Sequence, residues 1–486
     1  MDSILIVGAG PVGLFMATEL SRYGLPVRLI DQAAHATDKS KALVIWSRTL
    51  ELMERAGITQ QFVDSGLQAH AATMHHGAAV LGRATFDDIA SPYNFALMIP
   101  QRDTERLLTE HLAALGVTVE RQVELTAFTQ ESVGVTAKLR ATDGREETFR
   151  TPWLIGCDGA HSAVRHGLRM DFQGDTQGDD WYLADVRLEG ANTPPDDEIS
   201  IYFHRDGPFV LFPMPGGRAR VIAAVGKTDP ANPRPDPTLA EVQALANERV
   251  GGPLQLIDPV WLALFRINDR KVNDYRSGRV FLAGDAAHIH SPAGGQGMNT
   301  GMQDAVNLAW KLAMVVKGDA RDTLLESYSP ERSGVGDKVV RNASRLTDMA
   351  TLTSPASQAA RNFALHFMLG LHAVQERLAS TMSEIDIEYS PSALSEGRGS
   401  GTRFPPQGYA GSAPGSSKAP RFVLYASDQI RGAELVGRYA QLLESKCRVP
   451  IAENRLLIVR PDGYVGLSTS ADDWEAAERY LTRLAV

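Results

Sequence analysis

Apolar residues fall into distinct rhythms along this chain. It opens on a short continuous run, Ile4-Leu5-Ile6-Val7, which predicts a buried parallel strand. Val12, Phe15, Met16 and Leu20 then recur at helical spacing, and a second run, Val27-Arg28-Leu29-Ile30, ends on Asp31. Together they predict a βαβ unit. Its first turn is Gly8-Ala9-Gly10-Pro11-Val12-Gly13, a G-x-G-x-x-G pattern. In such a turn Gly8 bends the chain, Gly10 lets the backbone approach a pyrophosphate, and Gly13 lets the helix pack close to the sheet. The helix start then offers unpaired N–H groups and a positive dipole end to phosphates, and Asp31 is placed to accept hydrogen bonds from a ribose.

Further on, residues 32–40 are polar and predict a loop; residues 48–53 predict a helix ending near Gly57. A helix is expected over 103–115, capped by Asp103 or Thr104, with strands at 117–119, 133–137 and 153–156. From 181 to 225 the period changes to two, with Ile199, Ile201 and Phe203 alternating with Ser200 and Tyr202. Residues 208–212 and 220–225 continue as strands, so an antiparallel sheet is expected as an insertion in the α/β domain. A proline-rich loop at 230–237 and a helix at 239–249 follow. Arg279-Val280-Phe281-Leu282-Ala283 reads as another buried strand. It leads into Gly284-Asp285-Ala286-Ala287-His288 and the loop Pro292-Ala293-Gly294-Gly295-Gln296-Gly297-Met298-Asn299. The helix after it places Ala305, Leu308, Ala309, Leu312, Ala313 and Val316 on one face, and 347–378 is also expected to be helical. Residues 389–421, rich in Ser, Gly and Pro, read as a linker or extended arm, and 422–486 as a small α/β domain.

Composition narrows the function. The 486 residues allow two or three domains, and 49 Lys plus Arg against 58 Asp plus Glu leave a formal charge of -9, which argues against a broad nucleic-acid or anionic-membrane surface. No apolar stretch reaches a membrane span. Asp2 stands where a signal peptide needs basic residues, and Glu19 and Arg22 interrupt the apolar stretch. Cys157 and Cys447 are the only cysteines and form no C-x-x-C pair, so neither a disulfide framework nor a thiol redox centre is expected. A cytoplasmic protein, monomeric or homodimeric, follows as the expectation. His288 and His290 raise a metal reading, but without a nearby cysteine or acidic cluster no metal is expected. His161 reads as a turn residue and 70–76 as a surface segment.

Three separated stretches, Gly8 to Gly13, Cys157-Asp158-Gly159, and Gly284-Asp285 through Asn299, resemble the FAD signatures of single-component flavin-dependent aromatic hydroxylases. The tail, with Val459-Arg460-Pro461-Asp462-Gly463-Tyr464-Val465-Gly466, is similar to the thioredoxin-like domain of the phenol and polyketide hydroxylase branch. The resemblance implies an α/β fold with a Rossmann-like FAD-binding domain, 1–175 and 275–388 including a helical connector. The inserted β-sheet substrate domain would be 176–274, the linker 389–421 and the thioredoxin-like domain 422–486. It implies that Gly8, Gly10, Pro11, Val12 and Gly13 bind the FAD pyrophosphate, and Asp31 with Gln32 the adenosine ribose. Lys41 stands where the family usually has arginine. Gln101 and Arg102 match the ribityl–pyrophosphate pair, and Leu125 and Asp158 are further cofactor positions. Gly284 and Asp285 would hold the ribityl chain, and Pro292, Gly295, Gly297, Met298 and Asn299 the flavin ring. Trp46, Phe203, Phe209, Phe212, Met214 and Pro292 are candidate substrate residues. In such enzymes NAD(P)H reduces FAD, and O2 then gives a flavin C4a-hydroperoxide that hydroxylates an aromatic ring; Baeyer–Villiger insertion and a non-catalytic flavin protein stay open. No catalytic base is named.

Overall fold

The computed structural model describes residues 2–37, 40–229, 231–352, 354–369, 371–450 and 454–486. The loops expected at 32–40 and 230–237 lie partly outside them. β1 (Ile4–Val7), α1 (Pro11–Arg22) and β2 (Val27–Asp31) form the expected unit. β1 pairs in parallel with β2 on one side and with Leu154–Gly156 on the other. Val280–Leu282 and Val119–Arg121 extend the sheet in parallel, and Arg276–Ser277 closes one edge antiparallel. Such a sheet is covered on both faces, which is why its strands read as unbroken apolar runs.

The second sheet is the expected insertion, and larger. Gln173–Glu189 pairs antiparallel with Arg218–Lys227 and with Gln255–Lys271, and the order continues through Phe209–Met214 and Glu198–Tyr202. Two strands come from earlier in the chain: Ala71–His76 pairs in parallel with Glu198–Tyr202, and Ala79–Thr85 lies outside it. Within the 70–76 segment, expected at the surface, Ala71–His76 is a half-exposed sheet strand with His75 stacked on Tyr202. The helix expected at 103–115 begins earlier, at Gln101 after Pro100, and runs to Ala114. Residues 347–378 divide among the helices Tyr328–Ala350, Pro355–Met368 and His372–Met382.

Residues 389–421 are an arm tied down along its length. Tyr389, Leu394, Phe404 and Tyr409 are buried, and Arg403 pairs with Glu51 of the helix Ser47–Glu54. Beyond it, Val423–Tyr425 pairs antiparallel with Arg455–Val459, which pairs antiparallel with Val465–Ser470. On its other side the first of these strands is bridged in parallel at Phe422–Leu443 and Tyr425–Arg448. Helices Gln429–Arg438 and Trp474–Leu484 complete this unit. Among the described residues no helix is long and apolar enough to cross a membrane.

Candidate cofactor and substrate site

The glycine turn shows which of its residues serve packing and which face open space. Gly8 has φ +99°, and a Cβ there would lie 2.4 Å from the Cys157 carbonyl oxygen; at Gly13 it would lie 1.8 Å from the Gly8 oxygen. These two positions bring the turn, α1 and the 157–159 stretch together. Gly10 differs, because a Cβ would meet nothing within 4 Å. Its missing side chain leaves room for a ligand rather than for protein. Pro11 takes the first turn of α1, and no side chain caps that helix, so its N-terminal N–H groups are left for an anion. Val12 turns its side chain the other way, into a seam where Cβ atoms at Gly284 and Gly301 would come within 2.8 and 2.6 Å of its methyl group. Any contact it makes with a cofactor is through its backbone.

Four carboxylates predicted or found near this turn are used differently. Asp31 accepts from Ala9 N at 2.6 Å and from Ala33 N at 2.8 Å, which fixes the turn against the end of β2. Asp158 accepts from the Ser162 hydroxyl and the Val164 N–H, so it organises its own turn. Asp304, which the sequence reading did not single out, accepts from Gly284 N at 2.9 Å, His288 Nε2 at 2.8 Å and Arg332 Nε at 2.6 Å. Asp285 is the exception. It is solvent-accessible yet deep enough in its recess that desolvation pushes its carboxyl up, opposed by His288 and Lys41. Among the described residues none donates a hydrogen bond to it. A solvent-accessible carboxylate left without a hydrogen-bond donor is in place for ligand hydroxyls.

Other expected residues differ in their setting. Lys41 and Arg102 are exposed, and among the described residues Arg102 faces Asp103 at 3.6 Å. Gln101 accepts from Ala42 N and donates to Glu105, tying the 40–42 strap to its helix. Leu125 is buried in the strand Val123–Glu131 opposite Leu139, which makes it core. A recess of about 430 Å³ opens beside Gln32, lined by Gln122, Glu124 and Arg140 among others. It adjoins Asp31 and has no aromatic wall, so it is not an aromatic-substrate cavity.

The second glycine loop is clasped to the 44–46 strand. Trp46 Nε1 donates to Gly294 O at 2.8 Å, and Trp46 N donates to Asn299 Oδ1 at 2.8 Å. Asn299 Nδ2 donates in turn to Val44 O and Gly295 O, both at 2.9 Å. Gly294 and Gly295 have φ of +96° and +63°, and a Cβ at Gly295 would be 3.0 Å from Val44 Cβ. The loop can therefore lie flat against that strand only with glycine there. Pro292 is exposed and accepts from Gly295 N; Gly297 and Met298 begin the helix Gly297–Val316, which has no side-chain cap. Asn299→Ala should leave the Trp46 amide and two carbonyls unpaired and lower unfolding free energy by about 2–3 kcal/mol. Chemical denaturation of the purified variant measures it.

Beyond the clasp lies an apolar cluster of Leu43, Val44, Trp46, Phe86, Ile199 and Met214, with Phe212 and Met382 against it. Trp46, Phe212 and Met214 thus meet in one cluster. Phe209 does not, since strand alternation turns it to the opposite face, where it is fully buried against Tyr182 and Val242 under the helix Leu239–Arg249. Phe203 packs with Met74 and Leu369 in a neighbouring cluster, beneath the Arg361 guanidinium. A charged pair was missed here. Phe212, Arg220, Asp185 and Trp261 lie directly opposite one another across four strands and share the face of Phe212. Arg220 binds Asp185 through two bonds of 2.7 Å and reaches Lys41 O at 3.3 Å. Charged residues at alternate strand positions usually mark the solvent face, so the sequence carried no signal for this pair.

His288 is committed to Asp304, and the His290 Nδ1–H donates to Ser291 O, with burial pushing that imidazole down to about 4. Among the described residues one group, His204, Asp206 and Glu248, has ligand atoms close enough to share an ion, and its two carboxylates are exposed.

Two nucleotide-type glycine turns, joined through Val12 and Gly284 around an unpartnered acid, define a flavoprotein site. Residues 2–343 match the FAD binding domain family, and the chain belongs to it. It is 38% identical over 407 residues to a 6-methylpretetramide 4-monooxygenase of Streptomyces rimosus, covering 82% of this chain and 72% of that one. It is 32% identical to the uncharacterised aromatic compound monooxygenase YhjG of Bacillus subtilis (strain 168), covering 98% and 95%. Among solved structures it is similar to an anhydrotetracycline hydroxylase from Streptomyces rimosus, with 28% identity, TM-score 0.81 and 99% of each chain covered. The protein is an FAD-dependent monooxygenase of the aromatic hydroxylase type.

Proposed function

We propose that this monooxygenase adds one oxygen atom from O2 to a phenolic, polyketide-like aromatic substrate, using NAD(P)H as reductant. The balance is one NAD(P)H, one proton, one O2 and one aromatic C–H giving NAD(P)+, water and a phenol. The observation that carries the reading is an unpartnered Asp285 on the turn that packs against the helix after the clasped glycine loop, with Trp46 of that clasp in one apolar cluster with Phe212 and Met214. The names of the relatives support an aromatic substrate, and the apolar wall suits a polycyclic one.

In this proposal the α1 start with Gly8, Gly10, Pro11 and Val12 backbone, and the helix packing at Gly13, hold the FAD pyrophosphate. Asp31 and Gln32 hold the adenosine, Lys41, Gln101 and Arg102 line the phosphate side, and Asp285 takes the ribityl hydroxyls. Bound FAD would supply the exchange of electrons with NAD(P)H and the activation of O2. The chain's own residues orient the ring, keep bulk water out, and present the uncapped start of Gly297–Val316, a positive dipole end, to the negative charge of a reduced flavin. Nicotinamide binds transiently, since the sequence carries no second G-x-G-x-x-G unit. The tail is proposed as thioredoxin-like: a first strand bridged in parallel across a helix and antiparallel to a following hairpin, then a terminal helix, supports this. The two cysteines, both free, support a reducing, cytoplasmic location.

The test is NAD(P)H oxidation by FAD-loaded protein against phenols, naphthols and polycyclic quinones, with product mass and structure. Stimulated oxidation with a gain of one oxygen on a ring carbon is expected. A lactone product would replace hydroxylation by Baeyer–Villiger insertion, and peroxide without product across phenols that the protein binds would refute the proposal. Asp285→Ala should purify with little flavin, its FAD affinity lower by roughly ten- to a hundredfold. Full cofactor content in that variant would remove Asp285 from the site.

A further inference from the structure

The Val459–Gly466 stretch of the tail does not stay within the tail. Its turn, with Gly463 at φ +77°, sits where three elements of the FAD-binding region meet. Arg460 binds Glu331 through two bonds of 2.7 and 2.9 Å and Asp462 through two of 3.0 and 2.6 Å. Asp462 accepts from Trp310 Nε1 at 3.0 Å, and its carbonyl accepts from Arg48 Nη2 at 2.7 Å. Glu331 also accepts from Asn307 and Lys311. Arg460, Glu331, Lys311, Arg48 and Asp462 are all buried.

The residue after Glu331 carries the chain of contacts to the flavin loop. Arg332 Nε donates to Asp304, whose other oxygen holds the Gly284 amide, and Arg332 Nη2 donates to Thr300 O in the first turn of Gly297–Val316. Arg332 Nη1 donates to the Tyr389 hydroxyl, and Tyr389 packs on Tyr464 of the tail at 4.4 Å and under the Arg460 guanidinium at 5.0 Å. One helix, Tyr328–Ala350, thus takes the tail with one residue and the Gly284-Asp285 turn with the next. A buried network of this kind has few alternative arrangements, because moving any member strands a charge.

We propose that the C-terminal unit is a positioning element of the cofactor site, acting through Arg460–Glu331 and Arg332–Asp304 on the Gly284-Asp285 turn and the start of Gly297–Val316. Arg460, Glu331, Arg332 and Asp304 are positioning residues; none needs to touch the flavin. The inference rests on FAD binding along the Gly8–Gly13 and Gly284-Asp285 turns.

The experiment compares full-length Arg460→Met with Leu481→Ala, which opens a cavity at a buried position of the helix Trp474–Leu484 and removes no member of the charged network. FAD dissociation constants from flavin fluorescence, the visible flavin spectrum and thermal unfolding are measured for both. Arg460→Met is expected to weaken FAD by at least about tenfold and to shift the flavin bands, because small misplacements of a binding frame are costly. Leu481→Ala is expected to lower the melting temperature while leaving FAD affinity within about twofold, because every charged contact from Arg460 to the Gly284-Asp285 turn is kept. Arg460→Lys, which keeps a point charge on Glu331 without the fork, should fall between wild type and Arg460→Met. It supplies the decisive reading if Arg460→Met does not fold. Unchanged FAD affinity in the Arg460 variants, or an equal loss in Leu481→Ala, overturns the proposal. Failure of wild-type protein to bind FAD would instead overturn the cofactor assignment on which it rests.

Discussion

Gly13→Ala is expected to yield protein without flavin and with a sharply lower melting temperature. A Cβ at this position would lie 1.8 Å from the Gly8 carbonyl oxygen, 3.0 Å from its carbonyl carbon and 3.2 Å from Cys157 Cβ. Two of these three neighbours are backbone of the turn itself, so no flexible side chain can move aside. Gly8 is itself pinned, since its amide donates to Ile30 O at 2.8 Å and its φ is +99°. Relief requires moving α1 away from β1, and that motion carries the free N–H groups away from any phosphate. Overpacking in a rigid core costs about 1–3 kcal/mol and more where backbone must shift. Gly10→Ala is the matched control. With nothing within 4 Å of the new Cβ, its unfolding should match wild type while its FAD affinity falls, because the methyl group fills ligand space. Flavin absorbance per polypeptide together with thermal unfolding separates the two. If Gly10→Ala retains full FAD affinity, the pyrophosphate does not lie against this turn.

What the sequence made legible was local. The βαβ unit, the glycine turn, the Gly284–Asn299 loop and the helix Leu239–Arg249 each depend on neighbours within some twenty positions, and periodicity and turn residues report such neighbours directly. The pairing of Ala71–His76 was not legible because its partner, Glu198–Tyr202, lies more than a hundred residues on. Phe209 and Phe212 look alike in sequence; which of them packs with Trp46 and Met214 is decided by the fold, and only Phe212 does. The larger omission was a polar stripe. Thr300, Asp304, Asn307 and Lys311 recur at helical spacing along Gly297–Val316, opposite its apolar face, which in isolation describes a solvated surface. All four are buried. Arg332, Glu331 and Glu384 meet them there, with Arg460 behind Glu331. A long helix polar on one side and followed by a second domain carries two readings, solvent or partner, and only the tertiary structure separates them.

Glu384→Gln is expected to become more stable than wild type as pH rises, although it removes a charged residue from beside a helix start. Glu384 has φ +60° and is buried at the end of the helix His372–Met382. It accepts from Thr300 Oγ1 at 2.7 Å and contacts the Gln303 amide at 2.5 Å, while Gln303 Oε1 has no partner. Desolvation pushes its carboxyl up to about 8, opposed by the Thr300 hydrogen bond, the Arg332 charge and Gln303, with Asp386 adding to the rise. The 2.5 Å contact is short for an amide donor but ordinary for a carboxylic O–H donating to an amide oxygen. Turning the Gln303 amide over lets its oxygen accept from a protonated Glu384 and puts its NH2 in the place that has no partner among the described residues. A neutral acid here also leaves the positive end of Gly297–Val316 to the flavin rather than neutralising it. The sign follows from proton binding. Between the unfolded value of 4.5 and about 8 the folded state holds the extra proton, so the stability from this group is complete below 4.5 and is lost as pH rises towards 8. The slope is roughly 1.4 kcal/mol per pH unit, and the whole effect is on the order of 3–5 kcal/mol. Glutamine keeps a donor and an acceptor at this place without a titration, so the melting-temperature difference between variant and wild type should be near zero at pH 5 and widen by several degrees by pH 9. Other titrating groups cancel in that difference. A difference that stays flat across the range would mean that Glu384 is ionised in the folded protein, and that the flavin helix carries its counter-charge from the protein after all.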